Sequence, residues 1–147
     1  ALAAGICDGL ELGDNAKAAL ISRGMVEIAR YGRSNGGKAE TFFGLAGLGD
    51  LVTTCCSKHS RNRSVGEAIG RGETLKEILA RMEMVAEGVW TTKALFGPES
   101  LISEEELPIA KQVHEILFEE KDVRAAVQDL MRRAPASEMG DLFGGAK

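Results

Sequence analysis

The sequence predicts an all-α, multi-helix domain, and three observations carry that expectation. Apolar residues recur at three- and four-residue spacing, capping residues open those runs, and glycine clusters close them. No convincing run of two-residue alternation competes. Val52-Thr53-Thr54 comes nearest and is too short for a strand.

In chain order, Asp14 is placed to cap a helix carrying Leu20, Ile21, Gly24, Met25 and Ile28 on one side, with Gly24 expected to admit a second helix closely. Ser34-Asn35-Gly36-Gly37 should end it. Ala39 to Leu45 reads as a short helix, after which Gly44, Gly47 and Gly49 punctuate the approach to Asp50. Ser60 caps a helix running through Val65 and Ile69 to Gly70-Arg71-Gly72, and Thr74 caps one carrying Leu75, Ile78, Leu79 and Met82. Val89 to about Phe96 is a further short helix, broken at Gly97-Pro98.

Ser103 and Glu106 form a capping-box pattern, while Pro108 is equally suited to the first turn of the helix bearing Ile109, Val113, Ile116 and Leu117. Asp122 opens the last helix, with Val123, Ala126, Val127, Leu130 and Met131. Residues 1–134 therefore form the helical domain, and 135–147 read as a flexible tail without periodicity. The chain starts without Met inside the apolar run Ala1-Leu2-Ala3-Ala4-Gly5-Ile6, which suggests a piece of a longer protein.

A length of 147 residues suits one domain with a substantial core, and 44% hydrophobic with 27% charged residues is ordinary for a globular chain. A net charge of −4 argues against bulk binding to nucleic acid or anionic membrane, but leaves room for a local basic pocket. No apolar run approaches the roughly 20 residues that span a bilayer. Cys7, Cys55 and Cys56 lack metal-site or redox spacing and suit reduced thiols in the cytoplasm. His59 and His114 have no metal-ligand partners at useful spacing, and a Cys–His nucleophile built from Cys55 or Cys56 with His59 lacks a third orienting group.

Ser60-Arg61-Asn62-Arg63 is the most informative segment. The first N–H groups of a helix have no internal partner and carry partial positive charge, so two arginines and an amide there make a donor set for phosphate or carboxylate. The same run is also what a capped surface helix with solvated arginines looks like. Lys58 and His59 add positive charge nearby. Asp50, between apolar neighbours after a run of glycines, either directs a carboxylate into a pocket or caps the helix of Leu51 and Val52. Thr53 and Thr54 offer hydroxyls to a pocket or to the backbone. Asp8-Gly9 and Gly13-Asp14-Asn15 are adequately explained by capping and turns. The glycines of 44–49 have neither a preceding strand nor the spacing of a dinucleotide loop. Trp90 suits core or domain-interface packing better than a ligand platform.

Taken together, residues 3–10, 13–24, 44–55, the Ser60-Arg61-Asn62-Arg63 run, Val85-Ala86-Glu87-Gly88-Val89 with Thr91-Thr92, and Leu107-Pro108-Ile109 resemble, in order, the C-terminal domain of bacterial-type NAD(P)-dependent glycerol-3-phosphate dehydrogenases. The resemblance covers roughly residues 1–134 and implies a helical fold like the C-terminal domain of 6-phosphogluconate dehydrogenase-like enzymes. It implies interconversion of sn-glycerol 3-phosphate and dihydroxyacetone phosphate with NAD or NADP, for glycerophospholipid synthesis, without a metal. Asp50, Thr54, Ser60, Arg61 and Asn62 would face the substrate, and Arg61, Val85 and Glu87 the cofactor. The family's general base is a lysine followed by asparagine just upstream of Ala1, and the nucleotide is held by an N-terminal Rossmann domain. On that reading the 147 residues alone are inactive. Their partners are a phosphorylated small molecule and the Rossmann domain, with a homodimer allowed. Self-association through Ala1 to Ile6 is expected of the isolated chain. The alternative is a non-catalytic helical interaction module on the same scaffold.

Overall fold

The computed structural model describes residues 1–82, 84–98, 100 and 103–133; the tail expected at 135–147 lies outside the described residues. Among the described residues, nine α-helices run in order: α1 Leu2–Gly9, α2 Gly13–Ser34, α3 Ala39–Phe42, α4 Asp50–Cys56, α5 Arg61–Gly70, α6 Leu75–Arg81, α7 Glu87–Leu95, α8 Pro108–Phe118 and α9 Val123–Arg132. A π-helical turn, Leu45–Gly49, leads into α4, and a 3-10 turn, Glu104–Glu106, precedes α8. No strand occurs among the described residues, so the all-α expectation holds.

The helix starts expected at Ser60, Thr74 and Asp122 follow the capping chemistry. Ser60 Oγ accepts from Arg63 N at 3.2 Å, and Asp122 from Ala125 N at 2.8 Å. Thr74 and Glu77 complete a capping box on α6. Ser103 and Glu106 form theirs around the 3-10 turn, so both readings of that segment are realised: the box closes one element and Pro108 opens the next. Gly36, at φ +83°, ends α2 in the left-handed conformation that glycine adopts without penalty. Two starts differ. Asp14 lies inside the first turn of α2, whose cap is Leu12, and Asp50 is already helical behind Gly49. Neither carboxylate is the N-cap: α2 opens at Gly13, at φ +82°, behind Leu12, and the helical turn Leu45–Gly49 runs straight into α4.

The core joins Leu2 and Ile6 of α1 to Val65 and Ile69 of α5, Ile78 of α6, Val89 of α7, and Val113 and Leu117 of α8. Full burial of each such side chain contributes about 1.5–3 kcal/mol. Helix α1 is thus a central element. Leu2 is 6% and Ile6 4% exposed, so Ala1 to Ile6 is not the sticky surface expected of it. Its apolar face is covered from within, by α5. Among the described residues the most exposed large apolar side chains are instead Leu45, Val52, Met84, Val85, Trp90 and Met131, and both Met131 of α9 and Ile28 of α2 are exposed against expectation.

Helices α1 and α5 touch backbone to backbone. A Cβ on Gly5 would sit 2.0 Å from the Arg63 carbonyl oxygen, and one on Gly66 2.0 Å from that of Leu2. Gly9 and Gly70 meet one turn further on. Around Gly24, by contrast, a Cβ would meet nothing within 4 Å. The close approach expected at Gly24 is made by these four glycines, and it fixes where α5 begins.

Candidate functional site

The start of α5 borders two adjoining cavities. One, of about 300 Å³, is lined by Thr54, His59, Ser60, Arg61, Asn62, Val85 and Glu87 among others. The second, of about 530 Å³, is lined by Asp50, Asn62 and Glu87 on one side and by apolar residues of α1, α2, α7 and α8 elsewhere. Asn62 and Glu87 belong to both. The sequence-expected residues therefore converge, with one refinement: Asp50 faces the larger cavity and Ser60 with Arg61 the smaller. Thr54 Oγ1 donates to Asp50 Oδ1 at 3.4 Å and bridges them along α4.

Four elements build this arrangement. The cap at Ser60 starts α5 with Arg61 exposed toward the smaller cavity. Helix α4 contributes Asp50 and Thr54 one turn apart. The π-helical turn before it passes so close to α3 that a Cβ on Gly47 would lie 2.0 Å from the Phe42 carbonyl oxygen, which explains a glycine there without any dinucleotide. Residues 85–88 close the far side, and the Gly88 N–H donates to Asn62 Oδ1 at 2.9 Å.

Arg63 does not join the anion-facing set. Its Nε donates to Asp8 Oδ2 at 2.6 Å, and its Nη1 lies 3.2 Å from Glu67. Lys17 Nζ pairs with the same Asp8 carboxylate at 2.8 Å. One turn of helix separates neither Arg61 from Arg63 nor their roles by sequence, yet the two residues point to different sides of α5. Asp8, read as a turn residue, is the anchor that ties α1, α2 and α5 together. Its partners' side chains are each 14% exposed, so its loss would leave two poorly hydrated cations. Asp8→Ala is expected to lower unfolding free energy by about 2 kcal/mol, discounted for partial exposure, as measured by urea denaturation. A change below about 0.5 kcal/mol, the level of an ordinary surface substitution, would mean the network is not structural.

The remaining reactive groups lie apart. Burial first, then the Asp8 carboxylate, pushes the Cys7 thiol up, away from thiolate chemistry. Cys55 is buried on the larger cavity while His59 borders the smaller, so they make no nucleophile pair. Among the described residues, no group of three or more His, Cys, Asp or Glu side chains is arranged to hold a metal, and no helix is long and apolar enough to cross a membrane. Glu27, not singled out by its sequence setting, is buried on the larger cavity and accepts from Ile109 N and Ala110 N at 2.8 and 3.1 Å. It caps α8 from α2, a contact spanning 82 residues that no local pattern announces.

Residues 1–128 match the family model described as the NAD-dependent glycerol-3-phosphate dehydrogenase C-terminus. The chain belongs to that family. It is 53% identical over 140 residues to a glycerol-3-phosphate dehydrogenase [NAD(P)+] of Chlorobium phaeobacteroides (strain BS1), covering 95% of this chain and 42% of the relative. It is 51% identical over 142 residues to the enzyme of the same description from Bacillus licheniformis, covering 97% and 41%. A crystal structure of glycerol-3-phosphate dehydrogenase from Coxiella burnetii superposes with a TM-score of 0.79 at 45% identity, over 90% of this chain and 40% of that one. The chain thus spans about two fifths of the length of the relatives it matches. The family resemblance read from the ordered motifs is borne out, as is the helical fold of a dehydrogenase C-terminal domain.

Proposed function

We propose that this chain is the substrate-binding domain of an NAD(P)-dependent sn-glycerol-3-phosphate dehydrogenase, interconverting glycerol 3-phosphate and dihydroxyacetone phosphate together with an N-terminal Rossmann domain of the kind its longer relatives leave room for. The observation that carries the reading is the convergence of Ser60, Arg61 and Asn62 at a helix start on the smaller cavity, which Thr54 and Glu87 also border, with Asp50 on the adjoining larger cavity that Asn62 and Glu87 share.

A dianionic phosphate ester needs charge-assisted donors, and the capped start of α5 offers Arg61, the Asn62 amide and the Ser60 hydroxyl together. The reacting carbon bears a secondary hydroxyl, which requires a polar partner at the other end of the molecule. Asp50 and Thr54 are suited to hold that hydroxyl or to orient a lysine ammonium that removes its proton. By the family resemblance that lysine precedes Ala1, and Lys17, held by Asp8, is not placed to stand in for it. When bound, NAD or NADP supplies hydride transfer to or from that carbon. The residues present fit the edge of such a cofactor: Val85 and Glu87 are exposed beside Arg61, a carboxylate for hydroxyl groups and a guanidinium for phosphate. Three free thiols, Cys7, Cys55 and Cys56, support a reducing cytoplasmic setting. A glycerol phosphate product or substrate suits supply of glycerophospholipid backbones.

The test joins this chain to the N-terminal part of the Bacillus licheniformis relative and compares Arg61→Ala with the unaltered hybrid. Losing one charge-assisted phosphate contact is expected to raise KM for glycerol 3-phosphate on the order of 100-fold, with a smaller change in kcat. An unaltered KM removes Arg61 from the substrate site.

A further inference from the structure

The geometry points to Gly88 as a positioning residue for the anion site, acting through Asn62. This inference rests on the proposed role of Arg61 and Asn62 and extends it to the backbone N–H that holds the Asn62 amide.

Helix α7 begins at Glu87 behind Ala86, which has no side chain able to cap it. The orphan N–H of Gly88 is taken instead by Asn62 Oδ1 of α5, at 2.9 Å. An N–H can bond only to the oxygen of a carboxamide, so this contact fixes which way the Asn62 amide faces. Its oxygen is held by α7, and its two Nδ2 donors remain for the cavities that Asn62 lines. The Gly88 peptide is itself held, because Thr92 Oγ1 donates to the Gly88 carbonyl at 2.7 Å. A rotated amide would present a carbonyl oxygen to a phosphate and repel it. The Gly88 N–H therefore selects the donor orientation before any anion arrives.

The absence of a side chain at Gly88 is part of the device. A Cβ there would lie 2.9 Å from both Cγ and Oδ1 of Asn62, too close to coexist with the present rotamer. The obstructed atoms belong to a short side chain and not to backbone, so the fold accommodates alanine by swinging Asn62 aside. Stability changes little, while the amide leaves its post. A purely structural glycine would show the opposite pattern.

The test follows Asn62 directly. The 147-residue chain, labelled with nitrogen-15, is titrated with sn-glycerol 3-phosphate and, separately, inorganic phosphate, while the Asn62 side-chain NH2 signals are followed by NMR. Parallel titrations use Gly88→Ala and Arg61→Ala, with thermal unfolding of each. In the unaltered chain the Asn62 NH2 signals are expected to shift on titration. In Gly88→Ala that shift should vanish and Kd rise at least 10-fold, with Tm within a few degrees of the parent. If Arg61→Ala weakens binding while Gly88→Ala binds as the parent does, the inference about Gly88 is wrong and the site stands. If the parent shows no response, or Arg61→Ala has no effect, the anion site itself fails and takes Gly88 with it. Should Gly88→Ala not fold, Asn62→Asp decides. It keeps an acceptor for Gly88 but no donor, so the Gly88 amide should stay protected from hydrogen exchange while anion binding is lost. Retained binding in Asn62→Asp overturns the proposal.

Discussion

Gly66→Ala is expected to destabilise the chain by about 4 kcal/mol or more, a large part of the 5–15 kcal/mol typical of a whole domain. Intrinsic helix propensity points the other way, since alanine in a helix interior is better than glycine by about 1 kcal/mol. Sterics decide the sign. The new Cβ would stand 2.0 Å from the Leu2 carbonyl oxygen, 2.8 Å from its carbon and 3.0 Å from Ile6 N, all backbone atoms of α1. No rotamer change relieves that, so α1 and α5 must separate by about 1 Å or more to regain van der Waals distance. Separation opens the core where Leu2 and Ile6 face Val65 and Ile69, and dispersion contacts and burial are lost together. Gly24→Ala is the matched control: an open site in the interior of α2, expected to gain up to about 1 kcal/mol. Urea denaturation of the two variants should move their midpoints in opposite directions. Equal midpoints for Gly66→Ala and the parent would mean that the backbone contact between α1 and α5 does not hold the fold together.

That pair of glycines also marks where the sequence stops being readable. Helix starts were legible at Ser60, Thr74 and Asp122 because a cap acts within three residues of itself, and the ends at Gly36 and Gly72 because glycine relieves local strain. Gly24 and Gly66 are indistinguishable by such rules. Both are interior glycines of apolar-striped helices, and only the partner helix, some sixty residues away for Gly66, tells them apart. The same limit explains the arginines. Arg61 and Arg63 look alike in a donor-rich helix start, but Asp8 lies 55 positions from Arg63 and claims it. Asp50, Thr54, Ser60, Arg61 and Asn62 lie near one another because they sit at two adjacent short helices, α4 and α5, whose order is local. Glu27 was missed for the converse reason: its partners are backbone groups, which carry no sequence signature.

Glu27 sets the second large effect, on pH dependence. Burial pushes its carboxyl up from the usual 4.5 to about 7, against the two backbone donors of α8 and the more distant charges of Arg30 and Arg133, all of which favour the ionised form. Below pH 4.5 the folded and unfolded states both hold this proton; between 4.5 and 7 the folded state alone holds it; above 7 neither does. The folded state therefore binds more protons inside that window, and the unfolding free energy falls as pH rises through it. Integrated over the shift, the loss is on the order of 3 kcal/mol. Exposed carboxylates held low by partners, among them Glu73 beside Arg81 and Asp129 beside Lys121, act with the opposite sign and at lower pH. The difference between parent and Glu27→Gln isolates the buried group. The carboxamide keeps one acceptor for the start of α8 and cannot ionise, so its stability profile between pH 4.5 and 7 should lie flatter than the parent's. Two superimposable profiles would place the ionisation of Glu27 outside this range and leave the α2–α8 contact without a pH-sensitive part.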